Sequence, residues 1–206
     1  MKLCVFDFDS TLMDGETIDR LAALAGRQAE VSAITEAAMQ GELDFFEALT
    51  RRVAYLKGLA YDEVVSTCQN LPLMPGAPEA ITALKTKGYR VVIFSGGFRE
   101  ATSYHAPRLG ADADFANFLH QKEGALTGLV GGEMMTSDAK GVLLERLQNL
   151  LGVSKADTVA VGDGANDLSM FAHAGTKIAF CAKPVLKEAA DFVVDGKDVR
   201  GVLEYI

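Results

Sequence analysis

Short apolar runs alternate with amphipathic stretches over most of this chain. Residues 3–8, 90–94, 158–161, 177–180 and 192–194 are nearly unbroken runs of Val, Ile, Leu, Phe, Ala and Cys. That is the pattern of strands buried on both faces. Residues 77–87, 99–109 and 139–151 show helical spacing instead, closed by Gly88, Gly110 and Gly152. Glycine just past the last helical residue is a common stop signal. Buried strands alternating with helices predict an α/β fold, a Rossmann-like doubly wound parallel sheet.

Residues 14–74 break the alternation. Ile18, Leu21, Ala22 and Ala25, then Ile34, Ala37 and Ala38, then Phe45, Phe46, Leu49, Val53 and Leu56, then Val64, Val65 and Cys68 all recur at helical spacing. Asp44 with Glu47 three positions on predicts a helix start of the capping-box kind. Residues 1–13 and 75–206 are therefore expected to form the core, and 14–74 a small helical cap inserted after the first strand. Such an insertion would sit over the carboxyl ends of the strands, where open α/β sheets bind ligands. Residues 114–135, broken by four glycines, predict a β-hairpin to which no chemistry is assigned.

The 206 residues suffice for one domain with an insertion. A formal charge of −8 argues against nucleic acid or an anionic membrane as partner. Cys4, Cys68 and Cys181 are odd in number, widely spaced and lack a CxxC, so neither a disulfide framework nor a zinc site is indicated. Free thiols, too short an N-terminal apolar run for a signal peptide and no run of 18 apolar residues predict a cytoplasmic protein. Monomer and homodimer both fit.

Chemistry concentrates at two strand ends. The first apolar run closes in Asp7-Phe8-Asp9, and the run at 158–161 closes in Gly162-Asp163-Gly164-Ala165-Asn166-Asp167. Acids placed directly after a buried run are costly unless they meet a cation or a reacting group. With strand periodicity, Asp7 and Asp9 share a face. Phosphoryl transfer requires such a set: a carboxylate nucleophile, an acid that protonates the leaving oxygen, and oxygen ligands for a hard divalent cation. Asp7 suits the nucleophile, Asp9 the acid and later base, and Asp163 and Asp167 offer further oxygen to a metal. Ser95 and Gly96 follow a strand at a turn able to aim N–H groups at an oxyanion. Lys140 begins a helix, where a cation opposes the dipole.

The motifs DFDST at 7–11, SGGF at 95–98, AKG at 139–141 and GDGAND at 162–167 resemble, in order and context, those of the haloacid dehalogenase-like superfamily of aspartate-nucleophile phosphatases. The stretches DFDSTLMDGETID, FFEALTRRV, VAVGDGANDLSMF and IAFCAKP are similar to its phosphoserine phosphatase subfamily from near the first residue to the last. The resemblance implies hydrolysis of O-phospho-L-serine through an aspartyl-phosphate, the last step of L-serine synthesis, with Mg²⁺ as cofactor. It implies that Asp7, Asp9 (through its carbonyl) and Asp163 ligate the metal, with Asp167 steadying a metal-bound water. Ser95, Gly96, Lys140 and Asn166 would face the phosphoryl group. Glu16 would meet the substrate ammonium and Arg52 its carboxylate, while Met39 and Phe45 pack beside it. Helical periodicity alone leaves Arg51 and Arg52 equivalent; the resemblance selects Arg52. His105, His120 and His173 lie outside every motif and are expected to be non-catalytic. With the nucleophile at position 7, no preceding regulatory domain is expected.

Two rivals remain on sequence grounds. A phosphotransferase of the same subfamily would pass the phosphoryl group to another amino-acid alcohol. A phospho-aspartate receiver would store it, but has no use for Asp9 or for a helical lid.

Overall fold

The computed structural model describes residues 1–39 and 42–206, the Met39 side chain excepted, so the packing expected of Met39 lies outside the described residues. One seven-stranded sheet runs in the order β4-β3-β2-β1-β5-β6-β7. Its strands are β1 (Lys2–Asp7), β2 (Tyr89–Phe98), β3 (Ala113–Lys122), β4 (Ala125–Gly132), β5 (Thr158–Gly162), β6 (Thr176–Phe180) and β7 (Phe192–Val194). All neighbours are parallel except the β3–β4 pair. This is the doubly wound α/β fold. β1 lies between β2 and β5, so chain order reverses beside it, and the carboxyl end of β1 opens on the switch-point crevice.

The central strands β1 and β5 are buried on both faces, whereas β7, expected to be buried likewise, is an edge strand with Phe192 and Val193 exposed. Leu3 and Val5 belong to one apolar cluster with Leu144, Met170 and Phe171; Cys4 and Phe6 belong to the other, with Ile81, Leu84 and Ala101. Leu3, Val5 and Phe6 are wholly buried, each worth about 1.5–3 kcal/mol. The covering helices include α5 (Ala77–Thr86), α6 (Arg99–Leu109) and α7 (Ala139–Leu151). Gly110 and Gly152 end α6 and α7 with φ of 82° and 64°, a left-handed conformation that costs glycine little.

Between β1 and α5 stand four helices: α1 (Thr17–Leu24), α2 (Gln28–Met39), α3 (Phe45–Ala54) and α4 (Tyr61–Gln69). Their buried faces, including Ile18, Leu21, Val31, Leu49, Val53 and Val64, join the same cluster as Cys4 and Phe6. Asp44 caps α3 by accepting the Glu47 N–H at 2.8 Å. The reciprocal half of the capping box is absent, because the Glu47 carboxylate is drawn to Arg51 one turn on.

The predicted hairpin is the antiparallel β3–β4 pair, turning on Glu123 and Gly124, both with positive φ. Its tip also braces the helical block. Gly58 N–H donates to Leu126 O, Leu126 N–H to Leu59 O and Tyr61 N–H to Gly124 O, each at 2.8 Å. Among the described residues, no helix is long and apolar enough to cross a membrane. Short α8 (Leu168–Phe171) and α9 (Pro184–Ala189) complete the chain with 3-10 turns.

Candidate active site

The carboxyl ends of β2, β1 and β5 meet under α1 and α3 around a cavity of about 600 Å³. Asp7, Asp9, Glu16, Phe45, Arg52, Gly96, Asp163 and Asn166 line it. Ser95, Lys140 and Asp167 are buried behind that lining.

Asp7 is the last residue of β1. Its Oδ1 accepts the Phe8 N–H at 2.6 Å and pairs with Lys140 at 2.8 Å. No described residue donates to its Oδ2. Lys140 is 3 % exposed and also pairs with Asp167 at 2.6 Å. Its place in the first turn of α7 opposes the helix dipole, and the two carboxylates hold it there, raising its pKa despite burial. Asp167 spends its other oxygen on the N–H groups of Asp163 and Gly164, at 2.9 and 3.1 Å. That approach requires Gly162, since a Cβ there would overlap the Asp167 carboxylate.

Asp9 stands differently from the expectation. β1 stops at Asp7, and the chain then turns, with Leu12 and Met13 N–H groups on Phe8 O and Ser10 at φ 58°. Asp9 reaches the cavity from this turn rather than from a shared strand face. Thr17 supplies two donors to Asp9 Oδ1, backbone N–H at 2.7 Å and hydroxyl at 2.5 Å. Ser95 donates to Asp9 Oδ2 at 3.2 Å and accepts the Gly97 N–H at 2.9 Å. β2 extends through Phe98, so Ser95-Gly96-Gly97 is an irregular strand end where a turn was expected. A Cβ on Gly97 would stand 2.5 Å from Asp9 Oδ2. Glycine there makes room for the acid.

On the helical side, Glu16 precedes α1 but caps nothing; its carboxylate takes the Ser10 hydroxyl at 2.7 Å and faces the cavity. Arg51 is exposed and paired with Glu47, whereas Arg52 lines the cavity, its Nε donating to Ala48 O at 3.2 Å. The periodicity tie is thereby broken. A Cβ on Gly96 would lie 3.1 Å from the Phe45 ring, which packs over that strand end. No histidine lines the cavity; His105 is spent on Cys68 O at 3.0 Å.

Ligand oxygens of Asp7, Asp163 and Asp167 all lie within 4.8 Å of one another. At an effective dielectric constant of about 20, two carboxylates at that separation repel by roughly 3–4 kcal/mol. Lys140 bridges only two of the three, Asp7 and Asp167. Burial, with Asp167 next, pushes Asp163 up to about 7, and burial followed by Asp167 raises Asp7 well above the ordinary carboxylate range. Burial also raises Asp9 against the hydrogen bonds of Thr17 and Ser95, and raises Glu16 to about 8 with help from Asp9. An all-oxygen, over-negative cluster fits a hard divalent cation.

Sequence reading left Thr17 and Lys183 without roles. Thr17 opens the first helix after the acid turn, and an acid like Asp9 needs a donor. Lys183 lines the cavity from the β6–α9 connection, a juxtaposition that no local pattern signals.

A buried aspartate on a strand end, a lysine bridging it to a second acid loop, and an inserted helical block together define a phosphoryl-transfer site of the aspartate-nucleophile kind. The haloacid dehalogenase-like hydrolase model matches residues 1–175, and the chain belongs to that family. It is 57 % identical over 206 residues to the phosphoserine phosphatase of Wolinella succinogenes, covering all of both chains. It is 49 % identical to that of Methanocaldococcus jannaschii, covering 100 % of this chain and 97 % of the relative. Among solved structures, a phospho-aspartyl intermediate analogue of phosphoserine phosphatase superposes with a TM-score of 0.95 at 49 % identity, covering 100 % of this chain and 98 % of the other.

Proposed function

We propose that this enzyme is a Mg²⁺-dependent phosphoserine phosphatase of the cytoplasm, releasing L-serine and phosphate from O-phospho-L-serine. The observation that carries the reading is the pairing of two sites in one cavity. Asp7 and Asp9 stand at one end, and Glu16 and Arg52 stand on the helical side. A substrate with a phosphate at one end and an ammonium and carboxylate at the other matches both. Arg is suited to bidentate carboxylate recognition, and Glu16, pushed up to about 8 in the empty cavity, is held ionised by a substrate ammonium placed against it.

In the first half-reaction Asp7 Oδ2, the oxygen without a protein donor, attacks phosphorus, while Lys140 and the Phe8 N–H hold Oδ1. To act as the acid Asp9 must enter protonated, the form its burial favours, and it delivers that proton to the departing serine oxygen. As carboxylate it then takes a proton from the water that hydrolyses the aspartyl-phosphate. Ser95 and Thr17 keep it aimed. Gly96 and Asn166 face the phosphoryl oxygens from the rim. Mg²⁺ would be held by Asp7, Asp163 and the Asp9 carbonyl, with Asp167 behind a bound water, and when bound neutralises charge on the phosphoryl group.

Residues 14–74 act as the lid in this reading, and residues 1–13 with 75–206 as the core. Phe45 and the apolar faces of α1 and α3 exclude water. The buried thiols of Cys4 and Cys68 suit a reducing compartment. Phosphate release should be measured on a panel of phosphorylated metabolites with and without Mg²⁺, adding homoserine as rival acceptor. Preference for phosphoserine, loss without metal and no phosphohomoserine are expected. Faster turnover of a substrate lacking the amino-acid head, or transfer to homoserine, would overturn the assignment.

A further inference from the structure

The lining of the cavity presents five carboxylates, Asp7, Asp9, Glu16, Asp19 and Asp163, against two cations, Arg52 and Lys183. Lys140 is buried and already bridges two acids. The molecule as a whole carries −8. The lining thus offers an incoming phosphate dianion few cationic side chains, and in the phosphatase reading Arg52 takes the substrate carboxylate.

Lys183 is the cation left over. Its backbone is anchored, with its N–H on Asp163 O at 2.8 Å and Pro184 opening α9 directly after it. Its ammonium has no carboxylate within 4.0 Å among the described residues, and its side chain is exposed at the cavity rim. Its charge is felt by both Glu16 and Asp163, opposing the rise that burial imposes on each. A lysine just before a helix is unfavourable for that helix, whose amino end is already positive. Helix stability therefore does not account for its position, whereas attraction of an anion does.

We propose that Lys183 is the recruiting cation of the site, drawing the phosphate group past the carboxylate rim towards Asp7. This rests on the phosphatase reading but has its own test. Charged clefts alter association with their ligands by factors of 10 or more when several charges act together. One exposed lysine acting on a dianion should contribute about 3- to 10-fold at low ionic strength.

The Mg²⁺-loaded wild type, Lys183→Gln and Lys183→Arg are compared in two assays. Calorimetric titration with inorganic phosphate needs no turnover; steady-state kinetics use phosphoserine and an aryl phosphate. At low salt, Lys183→Gln should bind phosphate about 3- to 10-fold more weakly. It should lose a similar factor in kcat/KM for both substrates, with the change in KM larger than that in kcat. Lys183→Arg should restore most of it, and the gap should close at high salt as the screening length contracts. Unchanged phosphate affinity in Lys183→Gln overturns the proposal, as does a loss that salt does not diminish or arginine does not rescue. A loss confined to phosphoserine would assign Lys183 to the carboxylate end and equally overturn it. Phosphate binding that depends on Lys183 in an enzyme inactive on phosphoserine would sink the substrate assignment and leave this inference standing.

Discussion

Replacing Arg52 by Ala separates recognition from chemistry. Arg52 sits in the last turn of α3, half-buried, and faces the cavity beside Glu16. Only its Nε is engaged, with Ala48 O; among the described residues nothing accepts from its terminal nitrogens. Those nitrogens are free to take the substrate carboxylate as a fork. A hydrogen bond to a charged group contributes about 1.5–3 kcal/mol, and a fork open to solvent on one side is worth about one such bond. Because Arg52 retains some solvent contact, that range is preferred to the larger penalties of fully desolvated pairs. It corresponds to about 10- to 150-fold in kcat/KM for phosphoserine, at roughly 1.4 kcal/mol per decade. An aryl phosphate has no carboxylate and should be hydrolysed within about two-fold of wild type by the same argument. Arg51→Ala removes only a surface pair with Glu47, worth at most about 1 kcal/mol of stability, and should leave both activities alone. Parallel losses on the two substrates in Arg52→Ala would refute the recognition role. A selective loss in Arg51→Ala instead would show that the wrong arginine has been assigned.

Asp9→Asn should slow turnover of phosphoserine by about 10²–10⁴-fold, and far less for an aryl phosphate whose leaving group needs no proton; equal losses would count against Asp9 as acid. Gly97→Ala inserts a Cβ 2.5 Å from Asp9 Oδ2 and should cost about 10²-fold in kcat by displacing the acid, with the urea midpoint little changed; undiminished kcat would show that Asp9 tolerates displacement. The metal-free protein should lose stability as pH rises from about 4 to about 8. Asp163 and Glu16 are raised from 3.8 and 4.5 to about 7 and about 8, so over that window the unfolded chain sheds protons that the folded one retains. Thermal unfolding across pH, with and without Mg²⁺, checks this, and saturating metal should flatten the decline.

The sheet and its covering helices were legible because the central strands are nearly uninterrupted apolar runs and α5, α6 and α7 are closed by Gly88, Gly110 and Gly152. The acids were legible because they terminate those runs. What escaped depends on long-range juxtaposition. Asp9 leaves the strand in a turn set by Phe8 O and the left-handed Ser10, a geometry that periodicity cannot encode. Thr17 matters only because the turn brings α1 back onto Asp9, eight residues away. The choice between Arg51 and Arg52 rests on how α3 is rotated, which the packing of its buried face, Ala48, Leu49 and Val53, sets. The bracing of the 58–61 segment by the hairpin tip joins residues more than sixty positions apart. No local signal announces such a contact.

The central claim, that Asp7 carries the phosphoryl group, is tested most directly by trapping the intermediate. Wild-type enzyme and Asp7→Asn are mixed with radiolabelled phosphoserine and Mg²⁺, quenched in acid and treated with hydroxylamine. The wild type should retain acid-stable phosphate that hydroxylamine releases, mapping to Asp7 by mass spectrometry, while Asp7→Asn retains none. Hydroxylamine-sensitive phosphate on the mutant, or its mapping to another residue in the wild type, would contradict the account.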